Sequence, residues 1–107
     1  MARAATTTDA FNAVAEPRRR QIVDALADGE RSVNELVARL TLSQPGVSKH
    51  LRVLREAGLV DVRRDGRRRW YGLRAEPLAE VDAWLEPYRI HWSRRLDALE
   101  QHLEENP

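Results

Sequence analysis

The chain has 107 residues, with eighteen Lys or Arg against seventeen Asp or Glu, and no cysteine. Such a length holds one domain with a small core, and the missing thiols exclude disulfides, thiolate metal sites and a cysteine nucleophile. The opening MARAATTTDAF lacks the apolar run of a signal peptide and no segment approaches membrane-spanning length, so a soluble, cytoplasmic protein is expected.

The formal net charge of +1 conceals an uneven distribution. Residues 1–40 carry six basic and six acidic side chains, residues 41–74 nine against three, and residues 75–107 three against eight. A basic excess confined to the middle third points to a surface that faces a polyanion.

In chain order, Thr8 is expected to cap a short first helix that carries Phe11 and Val14 and ends near Glu16 and Pro17. Pro17 suits the first turn of the next helix, where its missing N–H would be unpaired anyway. Ile22, Val23 and Leu26 form that helix's apolar stripe, and Asp28 with Gly29 stops it. Ser32 followed by Glu35 is a capping box. It opens a helix whose Val33, Leu36, Val37 and Leu40 fall on one face. Thr41 and Leu42 leave room only for a tight turn before a helix capped by Ser43, which makes a helix-turn-helix.

That last helix, within SQPGVSKHLRVLREAGLV (43–60), turns Val47, Leu51 and Leu54 inward and ends at Gly58. LVDVRR (59–64) then alternates as a strand, Asp65 and Gly66 signal a two-residue hairpin, and RRRWYGL (67–73) returns. Trp70 and Tyr71 take opposite sides, so one belongs to the core and the other to the surface. Helices followed by a basic hairpin make a winged helix-turn-helix, mainly α with one small β-hairpin.

From 77 to 105 the pattern is helical again, with Leu78, Val81, Leu85, Tyr88, Trp92, Leu96, Leu99 and Leu103 at steps of three or four. At ~1.5 Å per residue this element could exceed ~40 Å, more than so small a domain can cover. Phe11, Val81, Leu85, Tyr88, Trp92, Leu96, Leu99 and Leu103 are therefore expected to pair with a second copy. Pro87 removes the hydrogen bond to Ala83, so a kink or break is expected there. The expected organisation is one domain over 1–107, with a DNA-binding core at 8–74 and a dimerisation helix at 77–105.

With the stripe at Val47, Leu51 and Leu54 inward, Gln44, Ser48, Arg52 and Arg55 face outward and Lys49 lies on their flank. Gln and Arg can pair with adenine and guanine edges, while Ser and Lys suit edges or phosphates. Only the first turns of a recognition helix reach base edges. Gln44, Ser48 and Lys49 are thus assigned to readout, and Arg52 to phosphate. The hairpin gathers Arg63, Arg64, Arg67, Arg68 and Arg69, more charge than protecting an edge strand requires. Minor-groove insertion or phosphate contact accounts for the excess. His50 points off this face, with packing, a backbone hydrogen bond or DNA contact all open. Pro45 in the second helical position costs little, but Gly46 costs ~0.5–1 kcal/mol relative to Ala. A small residue there would allow close approach to either the DNA groove floor or the preceding helix.

EPRRRQIVDAL, SVNELVARL, SQPGVSKHLRVLREAGLV and RRDGRRRWYGL together resemble the ArsR family of bacterial winged-helix repressors, over about residues 11–73. The resemblance implies a homodimer paired through its first and last helices, binding an imperfect palindrome and blocking transcription. It also places Gln44, Pro45, Ser48 and Lys49 at DNA-contacting positions, with Arg67 and its neighbours in the wing. Metal-sensing members carry Cys-x-Cys in the helix that is SVNELVARL here, so the resemblance is to the cysteine-free branch. Other members bind metal through the last helix, and His91, His102 and Glu105 echo that spacing. Eleven helical residues separate the two imidazoles by ~16 Å, so only a site across a dimer could use them. The reading is no metal and no cofactor, with double-stranded DNA and a second copy as partners and no membrane. A winged-helix protein-interaction module is the alternative, opposed by the arginine-rich wing, since interface cores are depleted of charge. An enzyme lacks support, because the three histidines are scattered and no nucleophile–base pair or glycine-rich phosphate loop is evident.

Overall fold

The computed structural model of the protein describes residues 9–106. Its elements are α1 (Ala10–Ala13), α2 (Pro17–Leu26), α3 (Val33–Leu40), α4 (Gln44–Glu56), β1 (Val60–Asp65), β2 (Arg68–Leu73) and α5 (Leu78–Glu105). This is the winged helix-turn-helix expected from the sequence. The strands form an antiparallel hairpin with Val60 opposite Leu73 and Asp65 opposite Arg68.

Local chemistry explains most boundaries. Thr8 lies outside the described residues; the cap of α1 is Asp9, whose carboxylate accepts from the Asn12 N–H at 2.8 Å. Glu16 caps α2 by accepting from the N–H groups of Arg18 and Arg19, and Pro17 takes the first position. Ser32 and Glu35 complete a reciprocal capping box on α3. At the end of α4, Gly58 sits at φ 79°, its N–H bonds the Arg55 carbonyl, and the Leu59 N–H reaches back to the Leu54 carbonyl. These two bonds form a Schellman motif, and the apolar contact that accompanies it is here between two fully buried leucines, Leu54 and Leu59.

Two boundaries differ from the sequence reading. The hairpin turn is Gly66 and Arg67, one residue later than Asp65 and Gly66, because Asp65 pairs with Arg68. Gly66 at φ 65° occupies the first central position, where a two-residue turn of type II′ prefers glycine. Of the kink or break expected at Pro87, the break is absent, and helix α5 continues through it. Ala83, whose carbonyl loses its helical donor, and Pro87 are both exposed.

The core is built from Ala13, Ile22, Ala25, Leu26, Leu36, Val47, Leu51, Leu54, Leu59, Val60 and Tyr71. Every element from α1 to β2 contributes to it or packs on it. Tyr71 is the core member of the Trp70–Tyr71 pair. It also exchanges two backbone hydrogen bonds with Arg31, at 3.0 and 2.9 Å, which ties the hairpin to the segment between α2 and α3. Helix α5, by contrast, contains no buried residue. The radius of gyration is 18.6 Å, against ~13 Å for a compact chain of this length.

The α3–α4 turn stores strain. Thr41 caps α3 at φ 57° and ψ 44°, a left-handed conformation in which a β-branched residue is an outlier. Asn tolerates this region far better. Replacing Thr41 with Asn is therefore expected to raise the unfolding free energy by about 1 kcal/mol in urea denaturation. A lower free energy would show that the turn is not strained.

Candidate nucleic-acid interface

Helix α4 is positioned by its buried stripe. Val47, Leu51 and Leu54 are at most 1% exposed, which fixes the rotation of the helix and leaves Gln44, Pro45, Ser48, Lys49, Arg52 and Arg55 exposed. Among the described residues, none of the polar side chains in this row makes a hydrogen bond or ion pair. Ser43 caps the helix, with its Oγ accepting from the Gly46 N–H at 3.1 Å. A Cβ on Gly46 would come within 2.9 Å of that same Oγ and of nothing else nearby. The close neighbour is thus the cap hydroxyl and not the preceding helix.

The five wing arginines occupy different settings. The Arg63 guanidinium forks onto Glu30, with Nη2 to Oε1 at 2.8 Å and Nε 3.2 Å from both oxygens. These hydrogen bonds hold the Glu30 pKa below the usual carboxylate value. Arg63 therefore fastens β1 to the α2–α3 connection. The Arg68 guanidinium carbon lies 5.6 Å from the Trp70 ring centroid, a cation–π distance. Arg64, Arg67 and Arg69 are exposed and have no partner among the described residues. A groove of about 460 Å³ runs between the wing and the helix-turn-helix, with Arg67, Arg68 and Arg69 on one wall and Gln44, Asn34 and Glu35 on the other. The tip and the start of α4 thus line one concave, basic surface.

His50 lies off this row, half-buried between α4 and the start of α2. Its Nδ1 is buried with no hydrogen-bond partner among the described residues, so the backbone bond left open by the sequence is not made there. Burial pushes its pKa below the ordinary histidine value; Glu16 opposes this, and Arg19, Arg18 and Lys49 reinforce it.

The last helix presents an apolar face. Tyr88, Trp92, Leu96, Leu99 and Leu103 are 46–65% exposed, while Val81 and Leu85 are half-buried. Phe11 of α1 meets Trp84 edge-on at 5.8 Å, and Trp84, Tyr88 and Trp92 continue as a ladder. The sequence reading missed Trp84, because it sits beside the three-and-four seam and not on it. Its i, i+4, i+8 spacing with Tyr88 and Trp92 was the available signal. His91, His102 and Glu105 are exposed on this helix. No group of three His, Asp or Glu among the described residues is placed to hold a metal ion. No helix of the described residues is long and apolar enough to cross a membrane.

The model of the bacterial regulatory proteins of the arsR family matches residues 16–62, the span from the α2 cap into β1. An HTH-type transcriptional regulator of Mycobacterium tuberculosis is 41% identical over 86% of this chain and 83% of its own length. The chain belongs to the ArsR family. A biofilm growth-associated repressor of Agrobacterium fabrum is 44% identical over 64% of this chain, which spans 58% of that repressor's length. The solved structure of an ArsR-like transcriptional regulator from Rhodococcus is 30% identical, with a TM-score of 0.71 over 94% of this chain and 93% of its own. As a member of the ArsR family the chain is a winged-helix, DNA-binding transcriptional regulator. The family match ends before most of the wing and before α5, so those elements rest on the geometry given above.

Burial of His50 has a pH consequence. The unfolded chain takes up a proton near the ordinary histidine pKa of about 6.5, whereas the folded chain resists it. Stability is therefore expected to be flat above that value and to fall as pH drops below it, before the carboxylates titrate. His50→Gln should flatten this limb in urea titrations at fixed protein concentration. An unchanged limb would assign it to other groups.

Proposed function

We propose that the chain acts as one domain in a cytoplasmic homodimeric repressor, paired through α5 and α1, that binds a palindromic operator. The observation that carries the dimer is the uncovered face of α5, where five large apolar side chains stand about half exposed or more. Contiguous apolar surface of this kind marks an interface. A self-complementary stripe suits an isologous two-fold contact.

A two-fold dimer presents two copies of α4. Gln44, Ser48 and Lys49 at its start read base edges, and Arg52 and Arg55 farther along hold phosphates. Pro45 enters the helix beside them at the surface that meets DNA. Gly46 leaves the cap hydroxyl undisturbed and keeps the helix end slim where it meets the groove. Arg67, Arg68 and Arg69 place the wing on the neighbouring backbone or minor groove. Repression then follows from occupying the promoter. The Agrobacterium relative, itself named a repressor, supports that sign.

Replacing Leu96 and Leu99 together with Glu is expected to yield folded monomers in sedimentation experiments. Loss of the linked second half-site should weaken operator binding by about 100-fold or more. A variant that sediments as a dimer would remove α5 from the interface.

A further inference from the structure

The hairpin register sorts the wing arginines by face. Val60, Val62 and Arg64 share one side of β1 and stand opposite Leu73, Tyr71 and Arg69. The first two rows of that side are buried or half-buried, and the third is a pair of exposed arginines. On the other side each arginine faces a carboxylate: Arg63 is held by Glu30, and Arg68 stands opposite Asp65 in the register, without an ion pair to it among the described residues. The Arg64–Arg69 row has none among the described residues. Glu35, the acid across the groove, accepts from the Ser32 N–H at 2.9 Å and forms no ion pair with either arginine.

Like charges directly opposite on a strand pair are destabilising, and an acid at either position would be favourable. Folding alone gives no reason for two arginines there. A phosphate does, because two guanidiniums a cross-strand distance apart can both donate to one phosphate group. Arg69, with Arg67 and Arg68, also lines the groove that contains Gln44, the first residue of α4, so one arm of the pair stands on the surface continuous with the helix-turn-helix.

We propose that Arg64 and Arg69 form a two-armed clamp for one backbone phosphate of bound duplex DNA, and that the unliganded wing tip is destabilised by their juxtaposition. This rests on the DNA-binding reading of the same surface and divides the labour within it. Arg63 becomes a positioning residue that sets the wing through Glu30, and Arg64 and Arg69 become the phosphate contacts.

The test uses the full chain with Arg69→Glu, Arg69→Gln and Arg64→Gln, and Arg39→Ala as a control for loss of one surface charge. Without DNA, at low salt and equal protein concentration, Arg69→Glu is expected to melt about 1–5 °C above the wild type, because it converts a like pair into an opposite one. Arg69→Gln should show a smaller rise. In duplex binding, Arg64→Gln and Arg69→Gln combined should lower the slope of log affinity against log salt by about two per dimer, one phosphate contact for each protomer, and each single Gln variant should lower it by less. Arg39→Ala, which gives up the 3.4 Å ion pair with Asp28, should leave the slope unchanged and should not raise the melting temperature. Melting of both Arg69 variants at or below the wild type, or unchanged salt slopes, would overturn the clamp. Failure of the wild type to bind any duplex would overturn the regulator reading itself, a separate result.

Discussion

Everything the surface of this protein can do depends on how Val47, Leu51 and Leu54 seat α4 in the core. These side chains bury against α2, α3 and the start of the hairpin, and their burial removes the rotational freedom of the helix. Once they are placed, Gln44, Ser48, Lys49 and Arg52 have no choice but to face solvent. The turn at Thr41 and the Schellman end at Gly58 and Leu59 then hold the two ends of α4. A recognition surface needs that rigidity, since side chains can read base edges only from a fixed frame.

The wing obeys the same logic at longer range. Tyr71 anchors β2 to the core and pairs with Arg31 through the backbone, while Arg63 reaches Glu30 in the same connection. The hairpin is thus tied twice to the segment just before α3. Its far end carries only charge. The division between a fastened base and a repelling tip makes affinity for a polyanion and stability of the free protein opposing demands on the same few residues.

Much of this was legible in the sequence, and the failures have physical causes. Capping boxes, first-turn prolines and the inward stripe of α4 are local features, with donors and acceptors three or four residues apart. They were read correctly for α2, α3 and α4. The Arg63–Glu30 fork spans 33 residues of sequence, and no pattern of spacing could reveal it. The hairpin slipped by one residue because Asp65 could serve either as a turn residue or as the partner of Arg68. Of the kink or break expected at Pro87 the break did not occur, since an exposed helix position can carry a proline. Trp84 was passed over because it lies beside the heptad-like seam, although Phe11 makes it part of the same face. The charge partition among the wing arginines needed the register itself.

The central claim is that two copies of α4, related by a two-fold axis, read one operator. Selection of bound sequences from random duplex DNA tests it most directly. The account predicts enrichment of two inverted half-sites with centres about 10 bp apart or a multiple of that spacing. Enrichment of a single asymmetric site, or of no sequence at all, would contradict it.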